Sequence, residues 1–138
     1  MTLEFFVPMV PPTVTHQEKR VNWSARKFYE DDNLKAARQK LAAYIGRHRP
    51  ESPITGGVRL TTKWCFPNGR HADGEYRTSK PDTDNLQKLL KDVMTQQGFW
   101  KDDALVASEI TEKFWAKIPG IYILIEELRW SCGKLSDT

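Results

Sequence analysis

Apolar residues recur along this chain with two different periods, and the period changes from segment to segment. Leu3 to Met9 form a short apolar and aromatic run around Phe5 and Phe6, closed by Pro11 and Pro12, which cannot continue a hydrogen-bonded ladder. This run predicts a first strand. His16 to Lys27 shows neither period; it is polar and basic with Trp23 embedded, and it predicts a loop or mobile arm. Leu34, Ala37, Leu41, Tyr44 and Ile45 recur at helical spacing while Lys35, Arg38 and Lys40 take another face, so a helix capped by Asp31 or Asp32 is expected through about Arg47. Val58, Leu60, Thr62, Trp64 and Phe66 alternate with Arg59, Thr61, Lys63 and Cys65, the period of a half-buried strand. From Asp84 onward, Leu86, Leu89, Leu90, Val93 and Met94 mark a second helical stripe, with Gly98 a suitable terminator. Ala104 to Trp115 and Ile121 to Glu127 are β-prone and are joined across Pro119-Gly120, which predicts a closing antiparallel hairpin.

The order β-α-β-α-β-β implies an α/β (α+β) fold in which one mixed sheet packs against two helices. Residues 1–128 are expected to form a single domain and residues 129–138, which lack periodicity, a flexible C-terminal tail. Pro67 to Pro81 is a polar connection longer than is usual in a compact domain, so it is either functional or disordered.

Composition narrows the function classes. A chain of 138 residues can bury roughly two-thirds of its unfolded surface. With 39% hydrophobic residues, five Trp and six Phe, it reads as an ordinary globular chain rather than a disordered one. Cys65 and Cys132 lie far apart with no Cys-x-x-Cys pair, which argues against a zinc site or a disulfide framework and for a cytoplasmic protein. No run approaches the roughly twenty apolar residues of a membrane span, and the start lacks a basic leader region, so neither membrane insertion nor secretion is expected. Net charge is +3, but residues 1–50 carry nine Lys/Arg against five Asp/Glu whereas residues 101–138 carry five against seven. That asymmetry fits a phosphate-rich partner.

Set against this basic half is an acidic cluster. Pro81 precedes Asp82-Thr83-Asp84-Asn85, and beyond one helix length comes Asp102-Asp103. Asp82 should arrive on extended chain and Asp84 at the helix start, so both carboxylates can converge at one corner. Magnesium is held by a few carboxylates together with water and substrate phosphate, and two aspartates plus a third from the later pair would meet that need. The difficulty is geometric: the later pair precedes the strand that returns along the helix, so nothing in the spacing brings it back to the helix start. Lys88 follows Asp84 by four residues and shares its face, where it can stabilise charge or steer a water. Taken singly, these residues have plainer explanations. Asp84 or Asn85 can cap the helix, Asp82 can sit favourably at its positive end, Asp102-Asp103 can be a solvated turn, and Lys88 can pair with Asp84 or Asp92. An EF-hand loop is excluded because Leu86, Gln87 and Val93 stand where an oxygen ligand, Gly and Glu are needed. A phosphotransfer aspartate is excluded because the polar run Arg77 to Pro81, not a hydrophobic strand, comes before the motif.

Together, Pro81-Asp-Thr-Asp-Asn-Leu-Gln-Lys88, Asp92 and Gly98-Phe-Trp-Lys-Asp-Asp103 resemble the signature of RusA-type Holliday junction resolvases, and the element order matches over about residues 3 to 127. The resemblance implies a homodimeric, magnesium-dependent endonuclease that nicks four-way DNA junctions symmetrically, with manganese a substitute metal and no small-molecule cofactor. It places the essential aspartates on Asp82, Asp84 and Asp103, picking Asp103 over Asp102, and the functional lysine on Lys88. The three aspartates would bind one or two magnesium ions that acidify a water and clamp the scissile phosphate, while Lys88 stabilises developing charge or orients that water. Lys19, Arg20, Arg26, Lys27, Arg70, Arg77 and Lys80 are candidate phosphate contacts, and Trp23 a candidate wedge at the junction centre. The long loop and the tail depart from the family pattern. A broader nuclease acting on forks or flaps, and a non-catalytic junction-binding protein, remain the competing readings, and a host-repair role is not distinguished from a prophage one.

Overall fold

In a computed structural model of the chain, residues 1–15 and 32–129 are described in full, and 20–22 and 27–29 by backbone course. The elements in chain order are β1 (Thr2–Val7), β2 (Arg20–Asn22), β3 (Lys27–Tyr29), α1 (Asp32–Gly46), β4 (Val58–Pro67), α2 (Thr83–Gln96), a 3-10 turn (Asp103–Leu105), β5 (Val106–Ala116) and β6 (Gly120–Glu127). One four-stranded mixed sheet packs against two helices, as the alternation of strands and helices implied, and its strand order is β1-β6-β4-β5. Its helix-facing side is built from Phe5 and Val7, from Val58, Leu60, Trp64 and Phe66, and from Ile121, Ile123 and Ile125, all buried. Leu34, Leu41 and Ile45 of α1 and Leu86, Leu89, Leu90, Val93 and Met94 of α2 close the same core. A buried polar link ties the layers together: Trp64 Nε1 donates to Thr62 Oγ1 (2.9 Å), which donates to Gln87 Oε1 of α2 (2.9 Å).

Two expectations are corrected. The closing strands do not form a hairpin, because β4 lies between them, parallel to β5 and antiparallel to β6. The strongly apolar alternation of β4 suits a central strand covered on both edges, and the 117–119 connection crosses its end instead of making a two-strand turn. The basic segment expected as a loop contains an antiparallel ribbon, with Val21 opposite Phe28. Lys19, Trp23, Arg26 and residues 130–138 lie outside the described residues, as do the side chains of Arg20 and Lys27.

The long connection after β4 is ordered. Asn68 N–H donates to Ala116 O, Gly74 N–H to Trp115 O, Trp115 N–H to Glu75 O and Arg77 N–H to Lys113 O, so the loop lies along the outer edge of β5. Asp73 adds a side-chain anchor by accepting from Lys117 N–H at 2.8 Å. Its backbone polar groups thus find partners on a sheet edge that would otherwise be open.

Candidate active site

α2 begins where the sequence places it, and its start carries the first two acidic residues. Asp82 is the N-cap with extended backbone (φ −75°, ψ 148°), and its carbonyl accepts from Leu86 N–H at 3.1 Å. Its carboxylate makes no capping hydrogen bond to the helix. The cap position thus falls on Asp82, not on Asp84 or Asn85 as the plainer explanation had it. Asp82 keeps the favourable place of a carboxylate at the helix's positive end, but the side-chain oxygen through which capping works is not used for it. That oxygen instead meets a cation: Lys80 Nζ lies 2.9 Å from Asp82 Oδ2, with the lysine side chain 83% exposed and free to leave. Asp84 sits in the first turn, exposed at the positive end of the helix dipole, and Lys88 is exposed one turn further on.

The corner preceding Asp82 is held by two cations from elsewhere in the fold. Lys113 Nζ, on the helix-facing side of β5, donates to Ser79 O (2.7 Å) and to Pro81 O (2.8 Å). Arg77 Nη2 donates to Lys80 O between them, and the Lys80–Pro81 peptide is cis. The Arg77 guanidinium lies 4.3 Å from the centroid of Phe66 and 4.5 Å from that of Trp115, on which His71 stacks. Arg77, expected to reach a phosphate, is thus half-buried and committed to the fold, because two aromatic faces and a carbonyl hold its charge. Burial, and then the neighbouring Arg77 charge, lower the Lys113 ammonium from its ordinary value, while Asp82 pulls it back up. Arg70 and Lys80 remain exposed.

The later acidic pair lies at the other end of α2. Asp102 caps the 3-10 turn, accepting from Ala104 N–H at 2.8 Å, so its carboxylate has a structural task. Asp103 has none of that kind and lines a cleft of about 390 Å³ with Arg38, Asp92, Thr95, Gln96, Lys101 and Asp102. A fourteen-residue helix is about 21 Å long, and the residues beside Asp103 belong to its last two turns. Within one chain, then, Asp82 and Asp84 are neighbours and Asp103 is not, and no group of three or more metal-ligating side chains forms among the described residues.

The residue types still suit a hard divalent cation. Two carboxylates at a helix N-terminus, one of them already facing an ammonium, are the oxygen donors that magnesium or manganese takes when substrate and water complete the shell. Sequence reasoning missed Lys113. Its signal was present, since Lys113 shares the inward side of β5 with Thr111 and Trp115, but a parity assignment on so mixed a strand is ambiguous without the partner register.

The model of the endodeoxyribonuclease RusA family matches residues 9–126, a span that begins just after β1 and holds both helices, both acidic motifs, β4, β5 and all but the last residue of β6. The chain belongs to that family. RusA relatives include the crossover junction endodeoxyribonuclease rusA of Lactococcus phage r1t, 26% identical over 109 residues that cover 77% of this chain and 83% of the phage protein. The uncharacterized protein YqaN of Bacillus subtilis is 29% identical over 103 residues, covering 66% of this chain and 72% of its own length. As a RusA-family member the chain is an endodeoxyribonuclease, a hydrolase of phosphodiester bonds. No helix among the described residues is long and apolar enough to cross a membrane.

Proposed function

We propose that this endodeoxyribonuclease resolves Holliday junctions by paired symmetric nicks, as a magnesium-dependent homodimer serving DNA recombination and repair. What carries this reading is the Asp82 carboxylate, which stands at a helix start without capping it, beside Asp84 and inside the span matched to the RusA family. The name of the phage relative supports the junction as substrate.

Asp103 enters the site from the partner copy in this reading. A two-fold axis that sets two α2 helices antiparallel brings the N-terminal end of one, with Asp82 and Asp84, to the C-terminal end of the other, with Asp103. Each dimer then holds two complete three-aspartate sites, matching the two strands a junction offers for cutting. Asp82, Asp84 and the second copy's Asp103 would hold the divalent ion, which when bound supplies Lewis acidity toward a phosphate oxygen and lowers the pKa of a water. Lys80, whose ammonium now neutralises Asp82, is exposed enough that it would be free to contact the DNA backbone wherever a cation took its place at that carboxylate. Lys88, one turn from Asp84, presents its ammonium to the charge developing on the scissile phosphate and orients the attacking water. Arg70, with Lys19, Arg20, Arg26 and Lys27 from the basic segment, supplies phosphate contacts, and Trp23 wedges at the junction centre.

Incubating the protein with a synthetic four-way junction, a fork and a linear duplex in magnesium tests the reading. Symmetric nicks in the junction are expected, with manganese substituting, and Asp82→Asn or Asp84→Asn should slow cutting by about 100-fold or more while leaving junction binding intact. Equal cutting of all three substrates would identify a broader nuclease, binding without cutting a non-catalytic protein, and an unaffected Asp82→Asn variant would remove the metal assignment.

A further inference from the structure

Three consecutive carbonyls lead into the acidic motif, and every one of them is held by a cation. Lys113 grips Ser79 O and Pro81 O, at 2.7 and 2.8 Å, and Arg77 takes Lys80 O. Hydrogen bonds from charged donors are about twice as strong as neutral ones, and these act on three successive residues, Ser79-Lys80-Pro81. Ser79 and Lys80 are exposed and Pro81 is buried, so core packing reaches this stretch at its last residue alone and the two residues before it depend on the cations. The clamp is itself rigid: Lys113 stands on a strand paired with β4 along its length, and Arg77 is pinned between Phe66 and Trp115. Asp82 follows Pro81 directly, and its carbonyl accepts the first hydrogen bond of α2, from Leu86 N–H.

We propose that Lys113, assisted by Arg77, is a positioning residue that fixes the 79–81 peptide and thereby sets where the Asp82 and Asp84 carboxylates point. This rests on the reading of those aspartates as the nuclease site. Lys113 does not touch the substrate; it acts through the backbone it holds. The long loop after β4 gains a task in the same stroke, since its docking on the edge of β5 delivers Arg77 and the three carbonyls to Lys113. The requirement for geometry is strict, because displacement of a reacting group by about 1 Å can cost roughly 100-fold in rate.

Lys113→Met removes both grips, and Lys113→Arg restores donors of similar reach. Two measurements apply to each variant. The first, needing neither metal nor DNA, is hydrogen exchange at the Leu86 amide, which is bonded to Asp82 O at 3.1 Å, with Ile123 and Ile125 as core references. The second is junction cleavage resolved into kcat and KM. For Lys113→Met we expect Leu86 exchange about tenfold faster with the core amides unchanged, and kcat down at least about tenfold at constant KM, both largely recovered in Lys113→Arg. Leu86 exchange or kcat at the wild-type value in Lys113→Met overturns the inference. If Lys113→Met does not fold, as loss of Ile123 protection would reveal, Lys113→Gln carries the same two measurements. Should wild type fail to cut junctions while Lys113→Met still accelerates Leu86 exchange, the nuclease reading falls and the clamp stands; if wild type cuts and neither readout moves, the clamp alone falls.

Discussion

At the scale of single residues, the decisive contrast is between aspartates that serve the backbone and aspartates that do not. Asp102 caps the 3-10 turn through its side chain, whereas Asp82 occupies a cap position with its carboxylate turned to Lys80. Helix starts are where carboxylates are favoured in any case, so residue type and spacing alone cannot separate the two roles. Only the direction of the side chain does. The same scale gives a check on the thiol of Cys65, which lies on the side of β4 away from the helices. Burial raises its pKa, Lys63 opposes that and Asp73 adds to it, so the reactive thiolate is scarcer than in a free cysteine at any given pH. Alkylation of Cys65 by iodoacetamide at pH 8, followed site by site by mass spectrometry, should be slower than that of glutathione and should accelerate as pH rises beyond the ordinary thiol range. A rate equal to or above that of glutathione at pH 8 would contradict the described environment.

At the scale of elements, what was legible in the sequence was what local periodicity dictates. The stripe from Leu86 to Met94 gave α2 nearly to the residue, and Gly98, with φ +84°, ends it as expected. The alternation through Val58 and Phe66 gave β4 equally well. Pairing was not legible, because a turn signal at Pro119-Gly120 says that the chain reverses but not whether another strand lies between its arms. Nor was the ordering of the 67–81 connection, whose composition is that of a loop and whose stability comes from hydrogen bonds to an edge strand distant in sequence, β5 and the residue after it. The ribbon β2–β3 escaped for a related reason: three-residue strands are too short to show a period. α2 depends on its buried stripe more than on its ends, since it starts without a side-chain cap. Leu90→Ala, in the middle of that stripe and fully buried, should therefore destabilise the protein by about 2–5 kcal/mol in denaturant titration. A loss below about 0.5 kcal/mol would mean that α2 is not packed as described.

At the scale of the whole molecule, the separation of Asp103 from the other two aspartates is what the proposed dimer would answer. In that proposal the helix that separates them within a chain would, set antiparallel to its equivalent, join them between chains. The two ends of α2 would then belong to two different active sites, and dimerisation would be a condition of activity rather than a way of doubling it. Single-chain sequence reading could recognise the three aspartates through their resemblance to a family signature and could place Asp103 a helix length from the other two. It could not say whether the turn after α2 folds Asp103 back, which the structure answers by leaving it beside the last two turns of α2. The most direct test is subunit complementation: Asp82→Asn and Asp103→Asn proteins are prepared separately and co-expressed, and nicking of a four-way junction is counted per strand. Each variant alone should be inert, while mixed dimers keep one intact site of two, so the co-expressed protein should recover about a quarter of wild-type nicks. Co-expressed protein as inert as either variant would contradict a site shared between two copies.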